Sequence, residues 1–144
     1  MKYIFVFVMN KGLISIGSNQ NRKENLSRCI QLLKTEFGNN IILSETFITT
    51  PYGSNYKEDF VNQLAFIYTN KNKEDIINLS KELEIRMGRT PEDKKNGIVV
   101  IDVDLIIWNN DILKKEDMKR DYIINLLPSL LDNMGKDITT TALF

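Results

Sequence analysis

No histidine occurs anywhere in these 144 residues, and that absence removes more chemistry than any other feature of the composition. Imidazole bases, imidazole metal ligands and the serine or cysteine triads that depend on them are all excluded. Cysteine is almost absent as well. The lone Cys29 rules out an intrachain disulfide and a cysteine metal cluster, and its place in an apolar helical pattern marks it as a packed core thiol. Net charge is missing too, because nineteen basic side chains offset nineteen acidic ones. No general polyanion-binding surface is therefore expected, no nucleic-acid partner is implied, and any phosphate site must be local. No apolar run reaches membrane-spanning length. Residues 1–8 are apolar apart from Lys2, but the run is short and lacks a small-residue cleavage pattern, so a signal peptide is not expected. These absences leave a cytoplasmic protein without a membrane partner.

What is present suffices for one core. The length suits a single domain, and 42% hydrophobic residues supply its interior. We expect the core to occupy about residues 12–131, with 1–8 an N-terminal extension and 132–144 a short tail. A first strand is expected at 12–16, followed by the turn Gly17-Ser18-Asn19-Gln20-Asn21. A helix over 22–37 follows, with Leu26, Cys29, Ile30, Leu33 and Phe37 at three- and four-residue steps and Gly38 as a stop. The β-branched stretch 41–49 and the stretch 60–69 read as paired strands, and 73–87 as a second helix ended by Gly88. Residues 89–97, charged and containing Pro91, read as an exposed loop. A strand over 98–108 and a helix over about 121–131 complete the chain. The order βαββαβ is that of an α+β, ferredoxin-like sandwich, an antiparallel sheet with its two helices on one face.

The strand over 98–108 carries the anomaly. Strict alternation puts Val99, Ile101, Val103, Leu105 and Ile107 on one apolar face. The other face is apolar as well, except for Asp102 and Asp104. Their Cβ atoms would stand about 6.5 to 7 Å apart, close enough to repel and to share cations. Oxygen-only ligands favour Mg²⁺ or Ca²⁺ over zinc, and Mg²⁺ takes one or two carboxylates and leaves its other positions to water and substrate phosphates.

Four pieces in this order and spacing resemble a known enzyme family. They are Ile16-Gly17-Ser18-Asn19, Thr50-Pro51 with Asn62, Glu84 ahead of Gly88-Arg89, and Ile101-Asp102-Val103-Asp104-Leu105. The family is 6-hydroxymethyl-7,8-dihydropterin pyrophosphokinase, the folate-pathway enzyme that moves the β,γ-pyrophosphate of ATP onto a pterin alcohol and releases AMP. The resemblance implies two Mg²⁺ ions held by Asp102 and Asp104, with ATP as co-substrate and Arg89 taking part in catalysis. It implies a pterin site of Thr50, Pro51, Tyr52, Gly53, Phe60, Asn62 and Tyr122, residue types that stack on a flat heterocycle and read its edge. It implies nucleotide contacts from Glu84, Arg89, Lys94, Lys95 and Arg120, with the loop after Arg89 closing over ATP. Only small-molecule partners and a monomer are implied.

The departures matter equally. Where the family shows a tryptophan-glycine-proline-arginine run, this chain has Asn96-Gly97-Ile98-Val99, so one loop arginine is missing. A nucleotide-contacting histidine is missing as well, with Lys114 or Lys115 near its place. Three readings stay open: an active Mg²⁺-dependent pyrophosphokinase, a divergent relative that binds pterin or nucleotide without efficient transfer, and a ferredoxin-like regulatory module whose acid pair holds a structural metal.

Overall fold

The computed structural model describes residues 9–51, 56 and 58–135. The elements run β1 (Asn10–Ser18), α1 (Arg22–Phe37), β2 (Ile41–Thr49), β3 (Phe60–Thr69), α2 (Lys73–Arg86), α3 (Pro91–Lys95), β4 (Asp102–Trp108), β5 (Asp111–Ile112), a 3₁₀ turn (Asp117–Lys119) and α4 (Asp121–Gly135). The strands form one sheet in the order β2-β3-β1-β4-β5, every neighbouring pair antiparallel. This is the expected α+β, ferredoxin-like core. The expected extension at 1–8, the tail beyond 135, and the pterin-loop residues Tyr52 and Gly53 lie outside the described residues.

Burial organises the sheet into three layers. On one face α1 and α2 pack Leu26, Cys29, Leu33, Ile76 and Leu83 against Ile14, Ile16, Ala65, Ile67, Val103 and Leu105. Those two helices share a face, as expected. The opposite face is not bare, however: α4 covers it with Ile123, Leu126, Leu130 and Met134 against Leu13, Leu64, Phe66 and Ile106. Its long apolar stripe also continues past residue 131, where the sequence pattern ends the helix. α4 packs chiefly over β2 and β3. The same face of β1 and β4, where Ser15, Asp102 and Asp104 stand, lines a cleft.

Cys29 sits at the centre of the first layer with no exposed surface. Burial, with a contribution from the negative charge of Glu84, pushes its thiol up to about 12. A thiol that stays protonated is a poor nucleophile. We expect Ellman's reagent at pH 8 to find no reactive thiol in the native protein and one in denaturant.

Three further features depart from the sequence pattern. The strand expected over 98–108 begins at Asp102. Residues 98–101 lie outside the ladder, with a bend at Val100, and are bonded instead by Ser18 and Asn19 at the end of β1. Asn19 Nδ2 donates to the Gly97 carbonyl at 2.8 Å, its Oδ1 accepts from Val99 N at 2.6 Å, and its own backbone N donates to the Val99 carbonyl at 3.0 Å. Ser18 Oγ donates to the Val100 carbonyl at 2.7 Å. Second, the alternation along β4 is broken by a register shift opposite Leu13 and Ile14 that leaves Ile106 unpaired. Ile106 and Ile107 therefore both face the α4 layer, while Trp108 turns into the α1 and α2 layer. Third, the stretch expected to be an open loop from Arg89 to Gly97 contains the short helix α3. Thr90 caps it, Pro91 opens it, and Asp93 completes a capping box with bonds of 3.3 and 3.0 Å.

At the outer edge of the sheet β2 carries a second irregularity, between Leu43 and Thr46. Two α4 side chains serve the backbone groups there. Ser129 Oγ accepts from Glu45 N at 2.8 Å, and Asn133 Nδ2 donates to the Leu43 carbonyl at 2.7 Å.

Candidate active site

The register across the sheet builds the floor of the cleft. Gly17 on β1 stands opposite Asn62 on β3 and Asp102 on β4, and Ser15 stands opposite Asp104. Asp102 and Asp104 thus share a face, as the alternation requires. Gly17 keeps the floor low: a Cβ there would lie 3.4 Å from Asn62 Oδ1 and 3.8 Å from the Phe60 ring, intruding on the space between them.

Two cations flank the acid pair, one for each carboxylate. Gly88, with φ of 96°, turns the chain out of α2 in the left-handed region that glycine tolerates. Arg89 is thereby brought back over β4. Its Nη1 lies 3.0 Å from Asp102 Oδ1 and 2.9 Å from Glu84 Oε2, and donates to the Ile101 carbonyl at 3.2 Å. Glu84 Oε2 also accepts from Val103 N at 2.8 Å. Glu84 was expected to contact the nucleotide; in the structure its bonds make it the anchor of Arg89 and of β4. Across the pair, Lys114 Nζ donates to Asp104 Oδ1 at 2.8 Å.

The electrostatics match this crowding. Asp102 keeps 43% of its side-chain surface open to the cleft, yet its carboxyl is pushed up to about 7. Desolvation is the main cause, reinforced by the Asp104 charge and a hydrogen bond with that neighbour, while Arg89 pulls the other way. Burial works against the Lys114 ammonium, but its bond to Asp104 and the nearby acids hold it protonated more firmly than usual.

The acid pair is shared by two unlike clefts. One, of about 180 Å³, is aromatic and polar, lined by Ser15, Gly17, Tyr56, Phe60, Asn62 and Tyr122 with Arg89, Asp102 and Asp104. Tyr56 meets Phe60 edge to face, centroids 5.4 Å apart. The Tyr122 hydroxyl accepts from Ser15 Oγ at 3.2 Å. Asn62 Nδ2 is spent on the Phe47 carbonyl and Thr49 Oγ1, at 3.1 and 2.9 Å. The other cleft, of about 450 Å³, lies between α2 and the β4–β5 hairpin. Ile77, Leu105 and Leu113 form its apolar part, and Ser80, Glu84, Arg89, Asp102, Asp104 and Lys114 its polar part.

Of the residues expected in the site, Asp102, Asp104, Arg89, Glu84, Phe60, Asn62 and Tyr122 are brought together. Thr50 and Pro51 do not line either cleft; Thr49 faces the aromatic one instead. Arg120, expected to contact the nucleotide, borders the aromatic cleft and not the one against α2, and is ion-paired with Asp117 at 3.5 Å. Lys94 and Lys95 are exposed on α3 and line neither cleft. Ser15, Thr49, Tyr56, Val99 and Asp117 line the aromatic cleft without having been expected there, and so does Gly17, which the sequence marked only as part of the turn after the first strand. Ser15 had a signal, a hydroxyl interrupting the apolar run Leu13-Ile14-Ser15-Ile16 just as the two acids interrupt theirs.

Comparison with known proteins agrees with the geometry. The profile of the 7,8-dihydro-6-hydroxymethylpterin-pyrophosphokinase (HPPK) family matches residues 13–132. A 2-amino-4-hydroxy-6-hydroxymethyldihydropteridine pyrophosphokinase of Porphyromonas gingivalis is 30% identical over 99 residues, 65% of this chain and 66% of that protein. The chain thus matches just under two thirds of that relative's length. The protein of the same name from Bacillus subtilis is 23% identical, with 91% of this chain and 84% of that protein covered. The folic acid synthesis protein FOL1 of Dictyostelium discoideum is 28% identical over 83% of this chain, which covers 19% of that longer protein.

Proposed function

The chain belongs to the 7,8-dihydro-6-hydroxymethylpterin-pyrophosphokinase family, and from that premise we propose that it transfers the β,γ-pyrophosphoryl group of ATP to 6-hydroxymethyl-7,8-dihydropterin in folate biosynthesis, releasing AMP. The observation that carries this reading is one acid pair bordering two chemically different clefts. A reaction between a flat heterocycle and a nucleotide needs two binding sites meeting at one charged point.

The aromatic cleft suits the pterin. Phe60 and Tyr122 offer ring faces, and the Asn62 amide oxygen is left to read a donor edge. The cleft against α2 suits the nucleotide, its apolar part taking the base and Arg89 and Lys114 facing the phosphates. In the transfer, the pterin hydroxyl oxygen bonds to the β-phosphorus and gives up its proton to solvent, as the bond from that phosphorus to the α–β bridging oxygen breaks. AMP carries away the electron pair. Arg89, fixed at three acceptors, offers charge that needs no reorganisation as the transition state forms.

The donor set fits Mg²⁺. Asp102 and Asp104 supply only oxygens, and among the described residues no group of three or more His, Cys, Asp or Glu side chains is placed to hold a metal ion. Ions at the pair would complete their shells with water and phosphate oxygens, as Mg²⁺ does. Two such ions would polarise the hydroxyl and neutralise the phosphates. Metal binding must displace the proton that Asp102 holds up to about pH 7. The apparent Mg²⁺ affinity should therefore climb from pH 6 to pH 8 and level off above, as read by calorimetry. A flat profile would show that metal binding displaces no proton from Asp102 in this range.

The activity itself is tested by incubating the protein with ATP, Mg²⁺ and the reduced hydroxymethylpterin. AMP should form, and should vanish in Asp102→Ala and Asp104→Ala. Pterin binding by calorimetry without AMP would leave a binding protein, and binding of neither ligand would leave a structural metal module. A monomer working in the cytoplasm completes the proposal; no described helix is long and apolar enough to cross a membrane.

A further inference from the structure

We propose that Lys114 is the exchangeable cation of the site, the counter-ion of Asp104 before metal arrives and a phosphate-binding residue for ATP afterwards. The proposal rests on the pyrophosphokinase reading. Its basis is the difference between the two cations that flank the acid pair.

Arg89 is fixed. Its guanidinium is shared among Glu84, Asp102 and the Ile101 carbonyl, and Glu84 is itself bonded to the backbone of β4. Moving Arg89 would break that whole set. Lys114 has a different mounting. The backbone below it is held firmly: Leu113 N donates to the Ile106 carbonyl at 2.8 Å, and the hairpin turn at Asn109 is clamped to Lys11 by bonds of 2.7 and 2.9 Å. Its side chain is 45% exposed and is held by a bond to Asp104. The ammonium is therefore a point charge on a flexible stem standing on a rigid base.

A divalent cation at Asp104 would repel an ammonium 2.8 Å from the same oxygen. The space open to the ammonium is the cleft it already lines, beside Leu105 and Leu113, on the side assigned to the nucleotide. A triphosphate there brings several negative charges close to two carboxylates and needs cations close at hand. One lysine thus serves two states. It lowers the repulsion of the empty acid pair, and it moves to phosphate when metal takes its place.

The test is a pair of affinities that must move in opposite directions. In Lys114→Gln, Mg²⁺ alone should bind several-fold more tightly by calorimetry, since its competitor for Asp104 is gone. ATP titrated at saturating Mg²⁺ should bind roughly tenfold more weakly, the worth of one charge-assisted contact. Lys114→Arg should keep the nucleotide affinity, and Lys115→Gln should behave as the parent in both titrations. A merely structural role would weaken both affinities together, and that result would overturn the proposal. Unchanged affinities for both ligands would overturn it as well. If the folded parent protein itself binds no ATP, the pyrophosphokinase reading falls and this one with it, a failure visible without any variant.

Discussion

Asp102→Asn is expected to abolish AMP formation and at the same time to raise the melting temperature at pH 8. The loss of activity should reach at least about a thousandfold, because an amide neither holds nor neutralises a divalent cation as a carboxylate does. The gain in stability follows from the environment that makes the residue useful. The carboxyl sits at about 7 in the fold against about 4 in an unfolded chain, so the folded state holds the proton more tightly. Its contribution to stability is fully present below about pH 4 and is lost as the pH rises through 7. At pH 8 the fold therefore carries an ionised, partly desolvated acid beside Asp104. With 43% of the side chain exposed, solvent screening reduces the cost to on the order of 1 kcal/mol. Its removal is worth roughly 2–4 °C in a domain of this size. Scanning calorimetry at pH 8 and pH 4 checks both parts, since the difference between parent and variant should shrink at the lower pH. A variant that melts below the parent at pH 8, or retains activity within about tenfold of it, contradicts the assignment.

Asn19→Ala should destabilise the protein by about 2–4 kcal/mol, because it strands two backbone groups at once. Asn19 is buried, and its amide satisfies both the Gly97 carbonyl and the Val99 N. Nothing else bonds those two atoms among the contacts described. Alanine also fills less space, so a cavity compounds the loss. Asn19→Asp is the informative companion, since it keeps the acceptor for Val99 N and loses the donor to Gly97. It should fall between parent and alanine in urea-unfolding midpoint. An alanine variant within about 0.5 kcal/mol of the parent would mean that residues 97–101 are held by something other than this clamp. The effect should extend to the site, because Val99 borders the aromatic cleft and the chain enters Asp102 from this stretch.

These two residues also show where the sequence was readable and where it was not. α1, β2 and β3 were legible to their ends: α1 buries a stripe at three- and four-residue steps and closes on Gly38, while β2 and β3 are β-branched and apolar stretches bounded by turn residues. The two acids on β4 were legible as polar interruptions on an apolar face. The role of Asn19 was not, since nothing local distinguishes an asparagine that ends a turn from one that stands in for a missing strand. The β4 bulge was hidden for a similar reason. Ile106 and Ile107 suit either face, and only the pairing with β1 reveals that both turn toward α4. α3 was obscured by its length, since five residues carry no period and Pro91 suggested loop rather than a first helical turn. Arg120 and Glu84 were expected near the acid pair and line the clefts beside it, but which cleft each borders, and which partner it holds, depends on distances that no spacing encodes.

The outer edge of β2 has a consequence for life at high concentration. An edge strand offers unpaired amides and carbonyls to any strand that drifts past, the usual first step of sheet-to-sheet aggregation. At the bulge of β2, Ser129 and Asn133 already occupy the Glu45 amide and the Leu43 carbonyl. The two side chains act as stoppers, built into a helix that also sends Ile123, Leu126, Leu130 and Met134 into the core. Their loss would be felt less in folding than in shelf life: Ser129→Ala with Asn133→Ala should leave a molecule that folds and then gathers into fibrous or amorphous solid where the parent stays clear.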